Sequence, residues 1–232
     1  MELLSTRPRD IDRAALIIRT GGVLAFPTDT VYGLGCDPRN PRAVKRLLSV
    51  KRERKTPFPI LVSSERMASR IATVNATARV LISRFWPGPL TLVLKSRPDS
   101  ALRLGTAGKT VAVRCPRNDV ALRLIHKCGG LLIGTSANRS GERPCTSARM
   151  IRHRLGDIDA VVDGGRAKSR VASTIVEVQS GMVTILRMGP IRESQIRRAL
   201  LEVRRQSGRR RQNSRLSGQT LIQGSVVVSE RS

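Results

Sequence analysis

Short apolar runs alternate along the chain with stretches whose apolar residues recur at helical spacing. Residues 23–26 are apolar and stop at Pro27, which predicts a buried strand. Asn40-Pro41 supplies an N-cap and a first-turn proline. The helix that follows places Ala43, Val44, Leu47 and Leu48 on one face, with Lys45 and Arg46 on the other. Residues 60–62 predict a second strand. Ala78, Leu81, Ile82 and Phe85 fall at i, i+3, i+4 and i+7 and predict a helix closed by Trp86-Pro87-Gly88-Pro89. Strands are expected at 90–94, 110–113 and 131–133, the last after a helix carrying Ala121, Leu124 and Ile125. A helix near 147–155 precedes a strand at 160–162 and the turn Asp163-Gly164-Gly165. Residues 174–178 and 183–186 predict a hairpin turned at Ser180-Gly181. Ile196, Leu200 and Val203 mark a last helix. The class is α/β, and the hairpin implies a mixed sheet.

From about Gln206 the periodicity stops. The segment QSGRRRQNSRLSGQT is polar and basic and is expected to be disordered, and the closing LIQGSVVVSE holds one strand-like run with no evident partner. The chain therefore divides into a domain at 1–205 and a basic tail at 206–232. No internal repeat occurs.

Charge changes this picture more than length does. The 232 residues carry 43 Lys+Arg against 17 Asp+Glu, a net charge of +26, and 36 of the basic residues are Arg. Arginine matches the planar geometry of phosphates and carboxylates better than lysine does. Residues 190–232 hold ten basic and three acidic residues, so most of the excess belongs to the body of the protein. A polyanionic ligand, a nucleotide or tRNA, fits such a surface, and so does plain solvation. The five aromatics (Phe26, Tyr32, Phe58, Phe85, Trp86) are too few for a base-stacking platform. No apolar run reaches the roughly 18–20 residues of a membrane span, and the first residues lack a secretory apolar region. Cys36, Cys115, Cys128 and Cys145 form no CxxC pair and have only His126 and His153 to join them. Neither a metal site nor a disulfide framework is expected, and the setting is reduced and cytoplasmic.

Three segments and two strand ends could carry chemistry. Residues 26–37, FPTDTVYGLGCD, follow a strand and mix hydroxyls with glycines; they suit a ligand-binding loop or an ordinary strand-to-loop junction. They are not a P-loop, because GxxxxGK[ST] is absent from the chain, as is GxGxxG. Lys51-Arg52-Glu53-Arg54-Lys55 closes a helix, where cations complement the helix dipole or clamp a phosphate. Residues 134–141, GTSANRSG, again follow a strand and suit either a nucleotide contact or a turn. Arg114 and Arg187 each end an apolar strand. With the Lys/Arg cluster they could form a triphosphate site, or be merely solvated.

Taken in order, PTDTVYGLGCDP, AVKRLLSVK with PFPILVS, WPGPLTLVL, TVAVRCP, GTSANRSG with Pro144 and Thr146, and STIVEV ending in ILRMGP resemble the YrdC-like family, the L-threonylcarbamoyladenylate synthases. The resemblance spans about residues 10–190. It implies a single domain with a strongly twisted mixed sheet and flanking helices around a concave basic cavity. It also implies a reaction in which L-threonine, bicarbonate and ATP give threonylcarbamoyl-AMP and pyrophosphate, with Mg²⁺ accompanying ATP and a tRNA threonylcarbamoyl transferase downstream. Carried over by position, Thr30, Arg114, Ser136 and Ser173 would hold threonine. Lys51, Arg54, Thr110, Asn138, Thr146 and Arg187 would contact ATP, and Lys51, Arg54, Ser136 and Asn138 would form the catalytic group.

Two departures stand out. Glu53 occupies the position of the family's arginine, so either Arg54 substitutes by a one-residue shift, which is the expectation, or the nucleotide is held differently. The family's histidine in the following strand is missing from Ile60-Leu61-Val62-Ser63. The rival reading is a non-catalytic protein of the same fold that binds tRNA or double-stranded RNA through its charge. A carbamoyl-transfer maturation factor is a third, disfavoured by the lack of zinc-finger cysteines and of extra domains.

Overall fold

The computed structural model describes residues 1–52, 57–98, 109–167, 169, 171–202 and 228–230. The elements run β1 (Glu2–Leu4), α1 (Pro8–Arg19), β2 (Leu24–Phe26), β3 (Gly33–Gly35), α2 (Pro41–Lys51), β4 (Ile60–Val62), α3 (Glu65–Ile71), α4 (Ala76–Phe85) and β5 (Leu90–Lys95). They continue with β6 (Thr110–Arg114), α5 (Asp119–Lys127), β7 (Leu131–Ile133), β8 (Thr135–Ser136), α6 (Ala148–Arg154), β9 (Ala160–Val162), β10 (Thr174–Gln179) and β11 (Met182–Arg187). A further helix, α7, covers 193–202, and β12 is Val228–Glu230.

The strands form two mixed sheets where a single sheet is expected from the pattern. One has the order β1-β9-β2-β3-β8 and the other β12-β11-β10-β5-β6-β4-β7. The division falls at Gly134, where the chain steps from β7, at the edge of the second sheet, straight into β8, at the edge of the first. A Cβ at Gly134 would lie 2.3 Å from Leu61 side-chain atoms, so only glycine allows the step to pass so close to β4. The Ile133 amide donates to the Cys36 carbonyl at 3.0 Å and ties β7 to the end of β3.

Side chains alternate across the first sheet as a period of two requires. On β2, Leu24 and Phe26 join a core with Ile11, Ile18, Leu124 and Ile125 of α1 and α5, while Ala25 joins the larger core on the opposite face. On β9, Ala160 and Val162 face one way and Val161 the other. Its strands β2 and β9 are thus covered on both sides, which is why both are uniformly apolar. Each fully buried Leu, Ile or Phe contributes about 1.5–3 kcal/mol relative to exposure.

Local signals act as the sequence suggests. The Asn40 side chain accepts from the amides of Arg42 and Ala43 at 3.1 and 3.2 Å and starts α2. Ser147 caps α6 through the Met150 amide at 3.3 Å. Ser180 and Gly181 have φ of 51° and 82°, two left-handed residues in a row, which is the two-residue turn whose twist suits a hairpin. On α2, Leu48 is exposed, contrary to its expected place on the apolar face; the buried stripe runs through Ala43, Val44, Leu47, Val50 and Lys51 instead. β1, α1, β3, α3 and β8 lie beyond the expected elements. The disorder expected of the tail concerns residues outside the described set, except that β12 pairs in parallel with β11, Val183 facing Val228.

Candidate active site

The junction of the two sheets encloses a cavity of about 180 Å³. Its wall takes Thr28, Thr30 and Tyr32 from the β2–β3 loop, Thr135 and Ser136 from β8, Leu61 from β4 and Thr91 from β5. Arg114 ends β6, Ser173 precedes β10, and Arg187 ends β11; all three reach the same wall. The strand-terminal arginines, far apart in sequence, converge because β6, β5, β10 and β11 are consecutive neighbours in one sheet.

Arg114 is held on three sides. Its Nε donates to the Gly88 carbonyl at 3.0 Å, Nη1 to the Thr30 hydroxyl at 3.2 Å, and Nη2 to Asp29 Oδ1 at 2.6 Å. Five guanidinium N–H groups less three leave two for another partner. Burial lowers the Arg114 pKa, the Asp29 carboxylate opposes that shift, and the nearby Arg187 charge reinforces it. Arg187 is partly exposed; its Nε and Nη2 donate to the Ser173 carbonyl at 3.1 and 2.8 Å, and no carboxylate among the described residues pairs with it. Partial burial likewise lowers its pKa. Two guanidinium groups that repel each other across a small cavity favour an anion between them.

The hydroxyls have a defined polarity. Thr28 Oγ1 donates its only proton to the Val31 carbonyl at 2.6 Å. The 3.0 Å bond between the Thr28 and Thr30 hydroxyls must then use the Thr30 proton. Thr30, already accepting from Arg114, keeps one lone pair and presents an acceptor. Thr91 and Ser173 share a 2.8 Å hydroxyl bond, and both are buried. Tyr32 is seated by the 163–165 turn, donating to the Gly165 carbonyl at 2.7 Å and accepting from the Gly164 amide at 3.0 Å. Burial pushes its phenol up to about 12.

Lys51 is placed differently. It is 2% exposed, and its Nζ donates to the carbonyls of Ser136 and Asn138 at 2.9 and 2.6 Å and lies 3.2 Å from Asn138 Oδ1. The Asn138 amide nitrogen donates to the carbonyls of Arg139 and Glu142 at 2.7 and 2.9 Å. Lys51 and Asn138 thus organise the 136–142 loop behind the wall that Ser136 joins. Thr110 starts β6, four residues from Arg114 and off the wall; Thr146 is also off it, its hydroxyl 3.4 Å from Met150 Sδ. Arg54 lies outside the described residues. Among the described residues no three of His, Cys, Asp and Glu gather into a metal site.

Two polar residues of this site escape a motif reading. Asp29 sits inside the first motif, and its role needs the distant Arg114 to be seen. Thr91 is the one hydroxyl in the apolar run of β5, and that break in the pattern was the available signal.

Fold and site define a two-sheet α/β domain with Arg114 and Arg187 in the wall of a cavity at the seam. Residues 16–189 match the sequence model of the Sua5/YciO/YrdC family, described as telomere recombination. The chain belongs to this family. The threonylcarbamoyl-AMP synthase of Bacillus subtilis (strain 168) is 38% identical over 198 residues, covering 83% of this chain and 57% of the relative. The threonylcarbamoyl-AMP synthase of Halorhodospira halophila (strain DSM 244 / SL1) is 41% identical over 162 residues, covering 68% of this chain and 85% of the relative. The crystal structure of Pyrococcus abyssi Sua5 complexed with L-threonine superposes with a TM-score of 0.78 at 35% identity, covering 85% of this chain and 60% of that one. The chain therefore spans little more than half the length of the B. subtilis relative. No helix among the described residues is long and apolar enough to cross a membrane.

Proposed function

We propose that the protein makes L-threonylcarbamoyl-AMP from L-threonine, bicarbonate and ATP, releasing pyrophosphate, for the modification of tRNA. The observation that carries this reading is the convergence of Arg114, Arg187, Thr30 and Ser173 on one small cavity, in a chain 38% identical to a threonylcarbamoyl-AMP synthase over most of its length. The catalytic unit is residues 1–205, with the basic segment 206–232 outside it, in a cytoplasmic setting.

A cavity of about 180 Å³ suits an amino acid and a carboxyl group, whereas sites for drug-sized ligands run to roughly 300–1,000 Å³. Threonine occupies the cavity, with its carboxylate on the free N–H groups of Arg114 and its amine donating to the Thr30 acceptor. Ser173, oriented by Thr91, takes a second polar contact. The amine joins the carbon of bicarbonate or carbon dioxide to give a carbamate, and water leaves when bicarbonate is the source. A carbamate oxygen then attacks the α-phosphorus of ATP, the α–β phosphoryl oxygen bond breaks, and pyrophosphate departs.

The reaction brings two anions together, so alignment and positive charge are the main requirements. Arg187, without a carboxylate partner among the described residues, receives the phosphates; Arg54, Thr110 and Thr146 serve the nucleotide beyond the cavity. Lys51 and Asn138 fix the loop that presents Ser136. Mg²⁺ would accompany ATP as part of the substrate and would supply charge neutralisation for the departing pyrophosphate. The product is a mixed anhydride, so its consumer is a transferase that moves the threonylcarbamoyl group to tRNA.

The test is pyrophosphate release by the purified chain with threonine, bicarbonate, ATP and Mg²⁺. Release above a no-threonine control is expected; its absence sinks the reading.

A further inference from the structure

We propose that Asp29 is a positioning residue for threonine: it locks the Arg114 guanidinium in the orientation that leaves its two free N–H groups for the substrate carboxylate. This inference rests on the reading of Arg114 as the holder of that carboxylate.

Asp29 does not line the cavity, so it acts through another group. Its carboxylate is only 11% exposed and meets the 7% exposed Arg114 side chain through one oxygen, at 2.6 Å. The other oxygen, Oδ2, is buried with no hydrogen-bond partner among the described residues. A pair built for stability alone would satisfy both oxygens, because burying an ion pair contributes little by itself and an unpaired buried acceptor is costly. Here the single-oxygen contact sets where Nη2 lies, while the Gly88 carbonyl sets Nε and the Thr30 hydroxyl sets Nη1. Three fixed corners define the plane of the guanidinium. Of the three anchors only Asp29 is itself charged, so its bond adds a charge–charge attraction that the two neutral acceptors lack.

Asp29 also balances charge. Arg114 and Arg187 share the cavity wall, and their mutual repulsion would turn Arg114 away from Arg187. The Asp29 carboxylate, 2.6 Å from Nη2, offsets the electrostatic cost of that repulsion and of burial, and anchors the guanidinium where it sits. Neutralising Asp29 therefore frees the guanidinium to rotate without removing its charge.

The test compares wild type with Asp29→Asn, which keeps the shape and one acceptor but loses the charge. Two readouts are combined. In ¹H–¹⁵N spectra, with Arg114 assigned through Arg114→Lys, the wild-type Nη protons give resolved signals, and in Asp29→Asn they broaden as rotation becomes fast; this readout needs no activity. In pyrophosphate-release kinetics, the KM for threonine rises about tenfold while the KM for ATP and kcat at saturating threonine change less than threefold. Asp29→Glu, which keeps the charge but shifts it by a methylene, gives an intermediate KM and carries the kinetic test if Asp29→Asn does not fold. Unchanged Arg114 signals in Asp29→Asn overturn the proposal. So do a threonine KM within twofold of wild type, and parallel rises in both KM values with a fall in kcat. Wild-type protein that releases no threonine-dependent pyrophosphate sinks the functional reading instead, and the Arg114 spectra then decide whether Asp29 holds the guanidinium at all.

Discussion

Lys51 and Arg114 are both almost completely withdrawn from solvent, yet they are held in different ways. Lys51 directs its ammonium at the oxygens of Ser136 and Asn138, backbone and amide dipoles of a loop it holds in place. Arg114 is met by a carboxylate on one corner and by neutral oxygens on two others, and it keeps two N–H groups at the cavity. The point charge of lysine suits a cluster of carbonyls, and the planar fork of arginine suits a planar anion. The difference separates two jobs. In the proposed function, one cation builds the site and the other meets the ligand.

Substitutions can break or sharpen that division. The largest effect is expected from Arg114→Lys, which keeps a charge but loses the fork: kcat/KM for threonine should fall at least about 100-fold, close to 3 kcal/mol. Near wild-type values would remove Arg114 from the threonine site. Lys51→Ala should lower turnover at least about tenfold and should also cost stability, because it leaves buried oxygens unmet at about 1–3 kcal/mol. For a domain of this size that is several degrees of melting temperature, readable by calorimetry. A loss of turnover with an unchanged melting temperature would instead place the ammonium on the substrate. Arg187→Ala should raise the KM for ATP five- to tenfold, about 1 kcal/mol, and the threonine KM by less, about two- to fourfold, through its lost bonds to Ser173. A selective threonine effect there would reverse the assignment of the two arginines. The smallest change belongs to Thr91→Val, which should raise the threonine KM only about two- to fourfold by loosening the Ser173 hydroxyl.

Much of the architecture was legible because it is local. Asn40-Pro41, the 78/81/82/85 spacing and Ser180-Gly181 each announce their element through capping, periodicity or turn geometry. The step at Gly134 was not legible, because it depends on Leu61 of β4 coming within a Cβ radius of the chain, a tertiary fact. Nor was β3, whose Gly-Leu-Gly sequence has no strand propensity and is held by pairing with β2 and β8.

The same boundary runs through the site. Arg114 and Arg187 stood out as charges ending apolar strands, and a motif resemblance could mark Thr30 and Ser173. That Lys51 would turn towards Ser136 and Asn138 depends on contacts across more than eighty residues of sequence. Asp29 shows the limit most clearly: one acid in a motif of hydroxyls gains meaning only when β6 brings Arg114 beside it.

The most direct test of the account is a mass spectrum of the adenylylated product formed from threonine, ATP and isotopically labelled bicarbonate. The account predicts threonylcarbamoyl-AMP that carries the label in its carbamoyl carbon and disappears when threonine is omitted. An adenylylated product without the label, or one formed equally without threonine, would contradict it.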